Sequence, residues 1–536
     1  MKIRNWRVNL ILVLIFLLST IITGRLIFVQ ILKGDFYRAL AQGLHSPFNE
    51  TQGERGEIFL KNGEPVAINV NFPYVFASPL KIKNLEETAK ILSQILNLEE
   101  NFVLEKLKKE NFFSLIKRKL SQTEVETLKK LNLEGISLDI ERGRYYPKES
   151  LASSIIGFLG AEGKGQYGLE ESYDQILRGE NGFKEAKKGS DLILNIDYNI
   201  QFEAEELLKK AKENLDFERS QIIVIEPNSG KILALAVYPN FNSNLYEEYA
   251  KKGNLDIFKN PVTQELFEPG SVFKIVAILA GLEEGRITPQ TTYIDEGSVK
   301  IGSDTIYNYD KRIYGQQTMT NVLEKSINTG AVFVEQQIGH RKFLEYLDKL
   351  GIFKKTGIDV PEIYSQNKEL KKGYEINFAT ASFGQGIEMT PIQLVRAYCV
   401  IANGGKLVTP HLVEKTSDSG IDIEPPLQII SSKTTSQLTA MLVSVVENGF
   451  GKLAKIPGYY IAGKTGTAQV PEGGKYSAEK TIQTFVGFGP AFNPQFLILI
   501  KLDNPKTKTA EYSAVPIFHD LADYIIHYYQ ILPDYD

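Results

Sequence analysis

Cysteine, histidine and excess positive charge are lacking in this sequence of 536 residues, and each shortage excludes a class of protein. The single cysteine, Cys399, cannot close an internal disulfide bond, and its apolar surroundings predict a core residue. The five histidines form no H-x-x-x-H pair, so no metal site is predicted. The net charge of −4 lacks the positive field that drives nucleic-acid binding, so we expect no nucleic-acid partner.

Long apolar stretches are also rare, and only the one near the N-terminus reaches membrane-spanning length. Residues 8–24 carry no charge, and the apolar pattern resumes after Arg25 and continues to residue 32. At ~1.5 Å per helical residue the charge-free part covers ~26 Å, and the extension lets it cross a hydrocarbon core of about 30 Å. A cleaved signal peptide would be shorter and would end in a small-residue site. Residues 8–32 are therefore predicted to be a retained transmembrane anchor.

Positive residues before this segment predict its orientation. Lys2, Arg4 and Arg7 precede the anchor, and the positive-inside rule places the tail of residues 1–7 in the cytoplasm. The bulk of the chain is then expected outside the cell (inner) membrane, attached by a single pass. This topology restricts the substrates to extracytoplasmic ones.

Beyond the anchor, the hydrophobic pattern divides the chain into two parts. Residues 33–194 mix short strand-like runs with charged helical stretches such as 85–96 and 104–120. From residue 195 to residue 536, strands enclose a helical middle. Strands are predicted as a hairpin at 222–237 and as runs at 191–197, 459–468, 484–489 and 496–502. Helices are predicted at 200–215, 271–285, 319–338, 341–350, 391–403, 433–448 and 515–530. This order indicates an α+β fold with one mainly antiparallel sheet flanked by helices.

Two glycine-rich motifs suggest nucleotide binding, but neither has the required context. Residues 163–168 spell G-x-G-x-x-G, yet no second parallel strand with a ribose-binding acid follows. Residues 458–465 match G-x-x-x-x-G-K-[ST], a loop that must open a helix, whereas Gly466 and Pro471 oppose a helix. Residues 459–462 favour a strand instead. We therefore expect no bound nucleotide and no cofactor.

In a strand, the second motif contains a different signature, K-T-G at Lys464, Thr465 and Gly466. K-T-G accompanies S-x-x-K and serine-x-asparagine in penicillin-recognising serine enzymes. Each of the three also arises by chance. S-x-x-K begins at Ser78, Ser114, Ser271, Ser365 and Ser477, serine-x-asparagine begins at Ser326 and Ser365, and K-T-G begins at Lys355 and Lys464. Spelling alone therefore selects none of them.

Context selects Ser271 among the five S-x-x-K serines. Pro269 and Gly270 mark the entry to an apolar helical run, which places Ser271 in the first turn. Lys274 follows at i+3, so both side chains lie on one helix face within possible hydrogen-bond reach. The positive potential of a helix N-terminus favours an alkoxide there. An N-cap serine is the alternative interpretation of this position.

Three segments, at 267–274, 326–328 and 464–467, resemble the signatures of class B penicillin-binding proteins, the monofunctional D,D-transpeptidases of peptidoglycan synthesis. The likeness extends over most of the chain after the anchor. Other stretches similar to that family are residues 54–59, 144–147, 167–179, 226–242 and 384–394. The resemblance implies an elongated, non-catalytic pedestal at 33–194, followed by a penicillin-recognising transpeptidase domain at 195–536.

Acyl transfer needs a nucleophile, a base, an oxyanion hole and a clamp for the donor. Ser271 is the predicted nucleophile and Lys274 the predicted base, whose pKa must be lowered by burial and by the charge of Lys464. Ser326 lies in a predicted turn between helical patterns and is predicted to relay protons, and a plain polar turn is the alternative interpretation. The resemblance implies an oxyanion hole made by the backbone N–H groups of Ser271 and Thr467. The predicted substrate-binding residues are Asn328, which would hold the donor amide, and Thr465, Gly466 and Thr467 on a strand where the peptide would bind by strand addition.

The predicted function is cross-linking of peptidoglycan. A D-alanyl-D-alanine donor would acylate Ser271, release D-alanine and pass the acyl group to an amine on a neighbouring stem peptide. The alternatives are a D,D-carboxypeptidase, in which water removes the acyl group, and a non-enzymatic anchored β-lactam sensor or scaffold. The expected partners are stem peptides, β-lactams and the membrane. The resemblance adds a polytopic glycan polymerase and other cell-wall synthesis proteins, with a role in division or elongation.

Overall fold

The computed structural model describes residues 14–23, 53–109, 111, 113–180, 187–472 and 475–535. Within these ranges no helix is both long and apolar enough to cross a bilayer. Of the predicted anchor at 8–32, only residues 14–23 are described, and they are helical. The rest of the anchor and the predicted tail at 1–7 lie outside the described residues.

The chain divides into two compact units. The first comprises Met1–Gly56 and Arg178–Gly189, and the second comprises Glu57–Leu177 and Ser190–Asp536. In the first unit, Glu180 pairs with Lys187, and the N–H group of Gly189 donates to the carbonyl of Glu54 at 2.8 Å. The second unit contains every strand and helix labelled below.

The strands of the second unit, in chain order, are β1 (Ile58–Phe59), β2 (Pro65–Ala77), β3 (Ser114–Lys117), β4 (Ile136–Tyr145), β5 (Phe158–Leu159), β6 (Gly165–Gln166), β7 (Leu192–Leu194), β8 (Arg219–Ile225), β9 (Ile232–Tyr238), β10 (Thr292–Asp295), β11 (Ser298–Ile301), β12 (Asp304–Tyr307), β13 (Gly315–Thr318), β14 (Lys406–Leu407), β15 (Val413–Thr416), β16 (Leu427–Gln428), β17 (Ala462–Glu472), β18 (Lys475–Gly489) and β19 (Phe496–Asp503). They form two larger sheets and several hairpins.

The α-helices are α1 (Leu85–Leu96), α2 (Glu100–Leu107), α3 (Gln122–Leu131), α4 (Ser153–Ile156), α5 (Gly168–Ser172), α6 (Asp174–Leu177), α7 (Tyr198–Leu215), α8 (Tyr246–Lys251), α9 (Pro261–Gln264), α10 (Lys274–Glu283), α11 (Met319–Glu324), α12 (Asn328–Ile338), α13 (His340–Lys349), α14 (Glu375–Ala381), α15 (Pro391–Ala402), α16 (Ser432–Asn448) and α17 (Ala514–Tyr528). A 3₁₀ turn, Gly270–Phe273, leads directly into α10.

The N-terminal part of the second unit is built on the long strand β2. Strand β4 pairs with it antiparallel over ten residues, β3 joins its end, and helices α1 to α3 contribute to a small apolar core there. The predicted helix at 85–96 is confirmed, but the one at 104–120 is wrong, because α2 ends at Leu107 and β3 follows. Alternate side chains of β3 are buried, a two-residue period that suits pairing with β2 better than a helix.

The C-terminal part is built on a five-stranded sheet in the order β17-β18-β19-β8-β9, with every neighbouring pair antiparallel. Alternate residues of its strands enter two apolar cores on opposite faces. One core includes side chains of α7 and α17, and the other includes those of α10, α15 and α16. The predicted α+β fold with an antiparallel sheet between helices is therefore confirmed. Strand β17 lies at the edge of this sheet.

The two glycine-rich motifs do not have the surroundings that a nucleotide-binding loop requires. Residues 163–168 lie in and after an antiparallel hairpin of β5 and β6, which is incompatible with a parallel βαβ unit. The K-T-G segment lies in β17, which pairs with β18 and does not open a helix. The strand begins at Ala462, three residues later than predicted.

Candidate active site

The nucleophile turn, Gly270–Phe273, is held on several sides. The N–H group of Gly270 donates to the carbonyl of Gly384 at 2.9 Å, and the buried Tyr398 hydroxyl donates to the carbonyl of Val272 at 2.7 Å. Gly270 has φ +62°, and a Cβ there would lie 2.9 Å from the Cβ of Ala468 in β17. A glycine is required because the turn is left-handed and the edge strand is so close.

Lys274 begins helix α10 and points into the interior of this turn. It is 0% exposed, and its Nζ lies 2.7 Å from the Oγ of Ser271. The same nitrogen lies 2.8 Å from the carbonyl of Ser326, 3.1 Å from its hydroxyl and 2.8 Å from Oδ1 of Asn328. The structure therefore brings together the serine, the lysine and the serine-x-asparagine motif.

Lys464 projects from β17 toward the same cluster. It is also 0% exposed, and its Nζ lies 3.1 Å from the Oγ of Ser326 and 2.9 Å from the carbonyl of Thr465. Ser326 Oγ is thus contacted by both lysines. Among the described residues, no carboxylate lies within ion-pair distance of either ammonium group.

The electrostatics of this pair disfavour the protonated form of each amine. Burial, and secondarily the like charge of Lys464, lowers the pKa of Lys274 well below its ordinary value. Burial lowers the pKa of Lys464 to about 7. A neutral Lys274 has two N–H donors, which suit the Ser326 carbonyl and Asn328 Oδ1, and one lone pair, which suits the Ser271 hydroxyl. This arrangement can accept the serine proton.

The turn between α11 and α12 supplies the serine-x-asparagine motif. The sequence predicted helical patterns over 319–338 with a turn between them at 326–328, and the structure breaks the helix there, at Ser326, which has φ +53°. This left-handed backbone is uncommon for a residue other than glycine and is typical of functional turns. It allows the carbonyl and the hydroxyl of Ser326 to contact Lys274 together. A continuous helix could not present both groups.

Strand β17 passes directly beside the nucleophile turn. A Cβ at Gly466 would lie 2.9 Å from Cγ1 of Val272 and 3.1 Å from its nitrogen, so no side chain fits there. Ala468 in turn lies against Gly270. Thr467, between these two contacts, is part-exposed, and its Oγ1 accepts a hydrogen bond from the N–H group of Ala510 at 3.2 Å. Thr465 is buried.

A polar contact beside the S-x-x-K segment was not predicted. The hydroxyl of Tyr476 in β18 donates to Glu268, with oxygen distances of 3.1 and 3.4 Å. Burial raises the pKa of Glu268. Glu268 belongs to the segment that carries the S-x-x-K signature, so its position was a usable signal. Tyr476 had none, because only the register of β17 and β18 brings it there.

The other predicted S-x-x-K serines do not have this geometry. Ser78 precedes a 3₁₀ turn, Ser114 lies in β3, and Ser365 and Ser477 lie outside helices. Cys399 is fully buried in α15, which confirms a core position, and burial raises the pKa of its thiol. In the described part of the chain, no three His, Cys, Asp or Glu residues are grouped closely enough to hold a metal ion.

Comparisons with known proteins agree with this geometry. The family described as penicillin binding protein transpeptidase domain matches residues 221–523, and the penicillin-binding protein dimerisation domain matches residues 50–191. The chain is 31% identical to stage V sporulation protein D of Bacillus subtilis (strain 168), over 93% of this chain and 82% of that protein. It is 29% identical to the peptidoglycan D,D-transpeptidase FtsI homolog of Mesostigma viride, over 98% of this chain and 96% of that protein.

Among solved structures, penicillin binding protein 3 of Mycobacterium tuberculosis in complex with aztreonam is similar, with a TM-score of 0.71 and 27% identity over 90% of this chain and 97% of that chain. The chain therefore belongs to the class B penicillin-binding proteins. The predictions of this family and of a peptidoglycan D,D-transpeptidase, an acyl-transfer enzyme, are confirmed.

Proposed function

We propose that this chain cross-links peptidoglycan stem peptides through an acyl-enzyme on Ser271, with Lys274 as the base. The observation that carries the proposal is the contact of 2.7 Å between Lys274 Nζ and Ser271 Oγ, made by an amine whose pKa is lowered well below its ordinary value by burial and Lys464. A buried lysine without a counter-charge is unfavourable unless it is neutral. A neutral amine beside a hydroxyl is a general base.

In the acylation step, Ser271 Oγ bonds to the carbonyl carbon of the penultimate D-alanine, and its proton moves to Lys274. The N–H groups of Ser271 and Thr467 stabilise the oxyanion. The close packing of Gly466 on Val272 and of Ala468 on Gly270 supports this pairing of two backbone segments. The C–N bond then breaks, and the departing D-alanine amine takes up a proton through Lys274 and Ser326.

The donor peptide binds along the free edge of β17. A peptide laid there pairs with the edge strand by main-chain hydrogen bonds, and Asn328 holds its amide. Its terminal carboxylate binds the hydroxyl groups of Thr465 and Thr467. The Thr467 oxygen already accepts from Ala510, which leaves its hydroxyl hydrogen available to donate to that carboxylate.

In the second step, an amine of a neighbouring stem peptide attacks the acyl-enzyme and releases Ser271. A D,D-carboxypeptidase would differ only in using water. A β-lactam sensor or scaffold would stop at the acyl-enzyme.

We also propose the domain bounds predicted above, with a pedestal at 33–194 and a transpeptidase domain at 195–536. Strand β15, within the proposed transpeptidase domain, pairs with β7, at the end of the proposed pedestal, so the two proposed domains share a sheet.

The proposed location is the outer side of the cell membrane, with residues 8–32 as the anchor and a polytopic glycan polymerase as partner. The charge distribution around that segment supports the orientation. A reporter enzyme that works only outside the cytoplasm, fused after Asp536, should be active. A reporter active only in the cytoplasm would contradict the orientation and with it the access to peptidoglycan.

The catalytic proposal is tested by covalent labelling of the full-length chain with a fluorescent penicillin. The adduct should be found on the peptide containing Ser271, and Ser271→Ala should abolish labelling because a methyl group cannot attack. The matched control is Ser365→Ala, which removes a serine of another S-x-x-K match. Full labelling of Ser271→Ala would refute the assignment. Labelling of the native chain without cross-linking of lipid-linked substrate, with the polymerase present, would favour a sensor or scaffold.

A further inference from the structure

The asparagine of the serine-x-asparagine motif is oriented by a second layer of residues outside the predicted site. Asn328 Nδ2 donates to the carbonyl of Tyr307 at 3.0 Å, while its Oδ1 faces Lys274 Nζ at 2.8 Å. A side-chain amide has two different ends, one that donates and one that accepts. The carbonyl of Tyr307 therefore selects which end of Asn328 meets the catalytic lysine.

Tyr307 ends strand β12, and the next residue, Asn308, is buried and fully engaged. Its Oδ1 accepts from the N–H group of Thr329 at 3.1 Å. Its Nδ2 lies 2.8 and 3.0 Å from the two carboxylate oxygens of Asp295 and 3.1 Å from the carbonyl of Arg312. The hydrogen bond between Asn308 and Thr329 therefore lies one residue along each segment from the hydrogen bond between Tyr307 and Asn328.

Asp295, at the end of β10, holds this junction together. It is 1% exposed and accepts hydrogen bonds from the Thr329 hydroxyl at 2.6 Å and from the N–H groups of Tyr314 and Gly297 at 2.8 and 3.1 Å, in addition to Asn308. Burial raises the pKa of this carboxyl, but these hydrogen bonds lower it by more. The carboxylate is satisfied by neutral donors.

We propose that Asp295 and Asn308 are positioning residues of the transpeptidase reaction, because they hold the Tyr307 carbonyl where it turns Asn328 Oδ1 toward Lys274. This inference rests on the proposed roles of Ser271 and Lys274. With Oδ1 and the Ser326 carbonyl as acceptors, both N–H groups of the neutral amine are occupied and its lone pair faces Ser271. With the amide reversed, an N–H group of Asn328 would compete with Ser271 for that lone pair.

The predicted signature of a failed positioning network is a change in the pH profile together with a lower rate. Asn328 Oδ1 stabilises the ammonium form of Lys274, so its loss lowers the pKa of that lysine. The acid limb of the acylation profile then moves to lower pH, and the plateau falls. Of the charged groups, Lys464 faces Lys274 from β17, and within the described ranges no carboxylate lies in ion-pair range of it.

The experiment measures the rate constant for acylation by a fluorescent penicillin between pH 5 and about pH 10, on the full-length chain in detergent. Asp295→Asn should lower the plateau by up to about 10²-fold, since small misplacements of catalytic groups have effects of that size. Asn308→Ala should act in the same direction. Both should move the acid limb to lower pH. Thermal unfolding of each variant reports whether it is folded.

Two controls separate positioning from stability. Thr329→Ser keeps the hydroxyl group on Asp295 and should retain the native profile, whereas Thr329→Val should reproduce part of the loss. Asp359→Asn removes the charge of another buried carboxyl, which binds the N–H groups of Leu412 and Val413. It should lower thermal stability without moving the profile.

The outcomes are distinguishable from those of the catalytic proposal. If the native chain is not acylated at Ser271, the catalytic proposal fails first. The positioning proposal is wrong if the native chain is acylated at Ser271 but the two variants, Asp295→Asn and Asn308→Ala, are folded and keep the native acylation rate and the native acid limb. It is equally wrong if their losses match the unfolded fraction and the acid limb of the remaining molecules is unchanged. If Asp295→Asn does not fold, the positioning proposal is tested by Asn308→Ala and by the comparison of Thr329→Ser with Thr329→Val.

Discussion

The pedestal part and the active site both bury basic side chains, but within the described residues only the pedestal part provides a counter-charge. Arg144, whose side chain is 3% exposed, lies 2.7 Å from Glu170, whose side chain is 0% exposed, and Tyr146 also donates to Glu170. Lys274 and Lys464 are equally buried, and among the described residues their amines contact neutral oxygens and no carboxylate. A counter-charge offsets part of the cost of burying an ion, whereas burial without one lowers the pKa of a lysine. Burial of the charged pair thus serves the structure of the pedestal part, whereas burial of the two lysines sets their pKa values in the active site.

A second comparison lies within the transpeptidase sheet itself. Lys501 in β19 is as buried as the catalytic lysines, but it is paired with Asp503 on the same strand, and Arg219 is 3.7 Å from that carboxylate. The difference between Lys501 and Lys464 is therefore the presence of a counter-charge and not the depth of burial. This contrast allows matched substitutions in one domain.

The largest expected effect is at Lys274. Lys274→Met should lower the acylation rate by about 10² to 10⁴-fold, because a positioned proton transfer contributes that much. Methionine fills similar volume, so the variant should stay folded. Stopped-flow measurement with a fluorescent penicillin checks the rate. A loss under about tenfold would mean that Lys274 is not the base, and the contrast with Arg144 would then have no chemical meaning.

The next largest effect is on stability in the pedestal part. Arg144→Met removes the cation that lies 2.7 Å from the buried Glu170, and the free energy of unfolding should fall by about 3–5 kcal/mol. The acylation rate of the molecules that remain folded should be unchanged. Chemical denaturation combined with labelling per folded molecule measures both. A selective loss of acylation in a fully stable variant would contradict a structural role for this pair.

A smaller effect, opposite in sign at the two lysines, tests the comparison inside the sheet. Lys464→Met removes an amine that resists protonation when folded, so at pH 7 the free energy of unfolding should rise by ~0.5–2 kcal/mol. Lys501→Met leaves Asp503 underpaired, and the same free energy should fall by about 1–3 kcal/mol. Thermal denaturation of the two variants side by side is the measurement. If both substitutions changed the free energy of unfolding in the same direction, burial alone and not the counter-charge would determine the contribution of each lysine to stability.

The Lys464 substitution also has a pH signature. The pKa of Lys464, about 7, is below that of lysine in an unfolded chain, so the unfolded state binds more protons above pH 7. The native stability should therefore rise with pH between about 7 and 10, and this rise should weaken in Lys464→Met. Removing the like charge should also raise the pKa of Lys274 and move the acid limb of acylation to higher pH. An unmoved limb would mean that burial alone lowers the pKa of Lys274.

The smallest expected effect is at Gly458, the first residue of the misleading phosphate-loop motif. Gly458 has φ +86°, so Gly458→Ala should lower the free energy of unfolding by about 1 kcal/mol through backbone strain. The acylation rate should stay nearly native, because Gly458 lies outside the K-T-G contact. Labelling kinetics and denaturation distinguish the two quantities. Micromolar ATP binding by the chain would instead support a nucleotide site.

Local periodicity and the family resemblance together predicted a cluster of site residues. Ser271 and Lys274 share one helical turn, so local periodicity predicted their contact, and the resemblance added Ser326, Asn328 and Lys464. A turn at Ser326 was predicted from its polar residues, but its left-handed backbone was not, because that conformation accompanies contacts to Lys274, which is distant in sequence. The strand β3 was missed for the same reason, since its partner β2 is distant in sequence.

What the sequence by itself determined is therefore the α+β class, through its local pattern, and the family, through its resemblance to known signatures. That resemblance also predicted the reacting groups. Only the tertiary structure decided the electrostatics. Lys274 and Lys464 have the same side chain as Lys501, and no local pattern states which lysine will be buried beside a carboxylate. The network of Asp295, Asn308 and Thr329 likewise exists only after a β-hairpin and a helix end are packed together. Protonation and orientation depend on the surroundings of a group, and folding alone creates those surroundings.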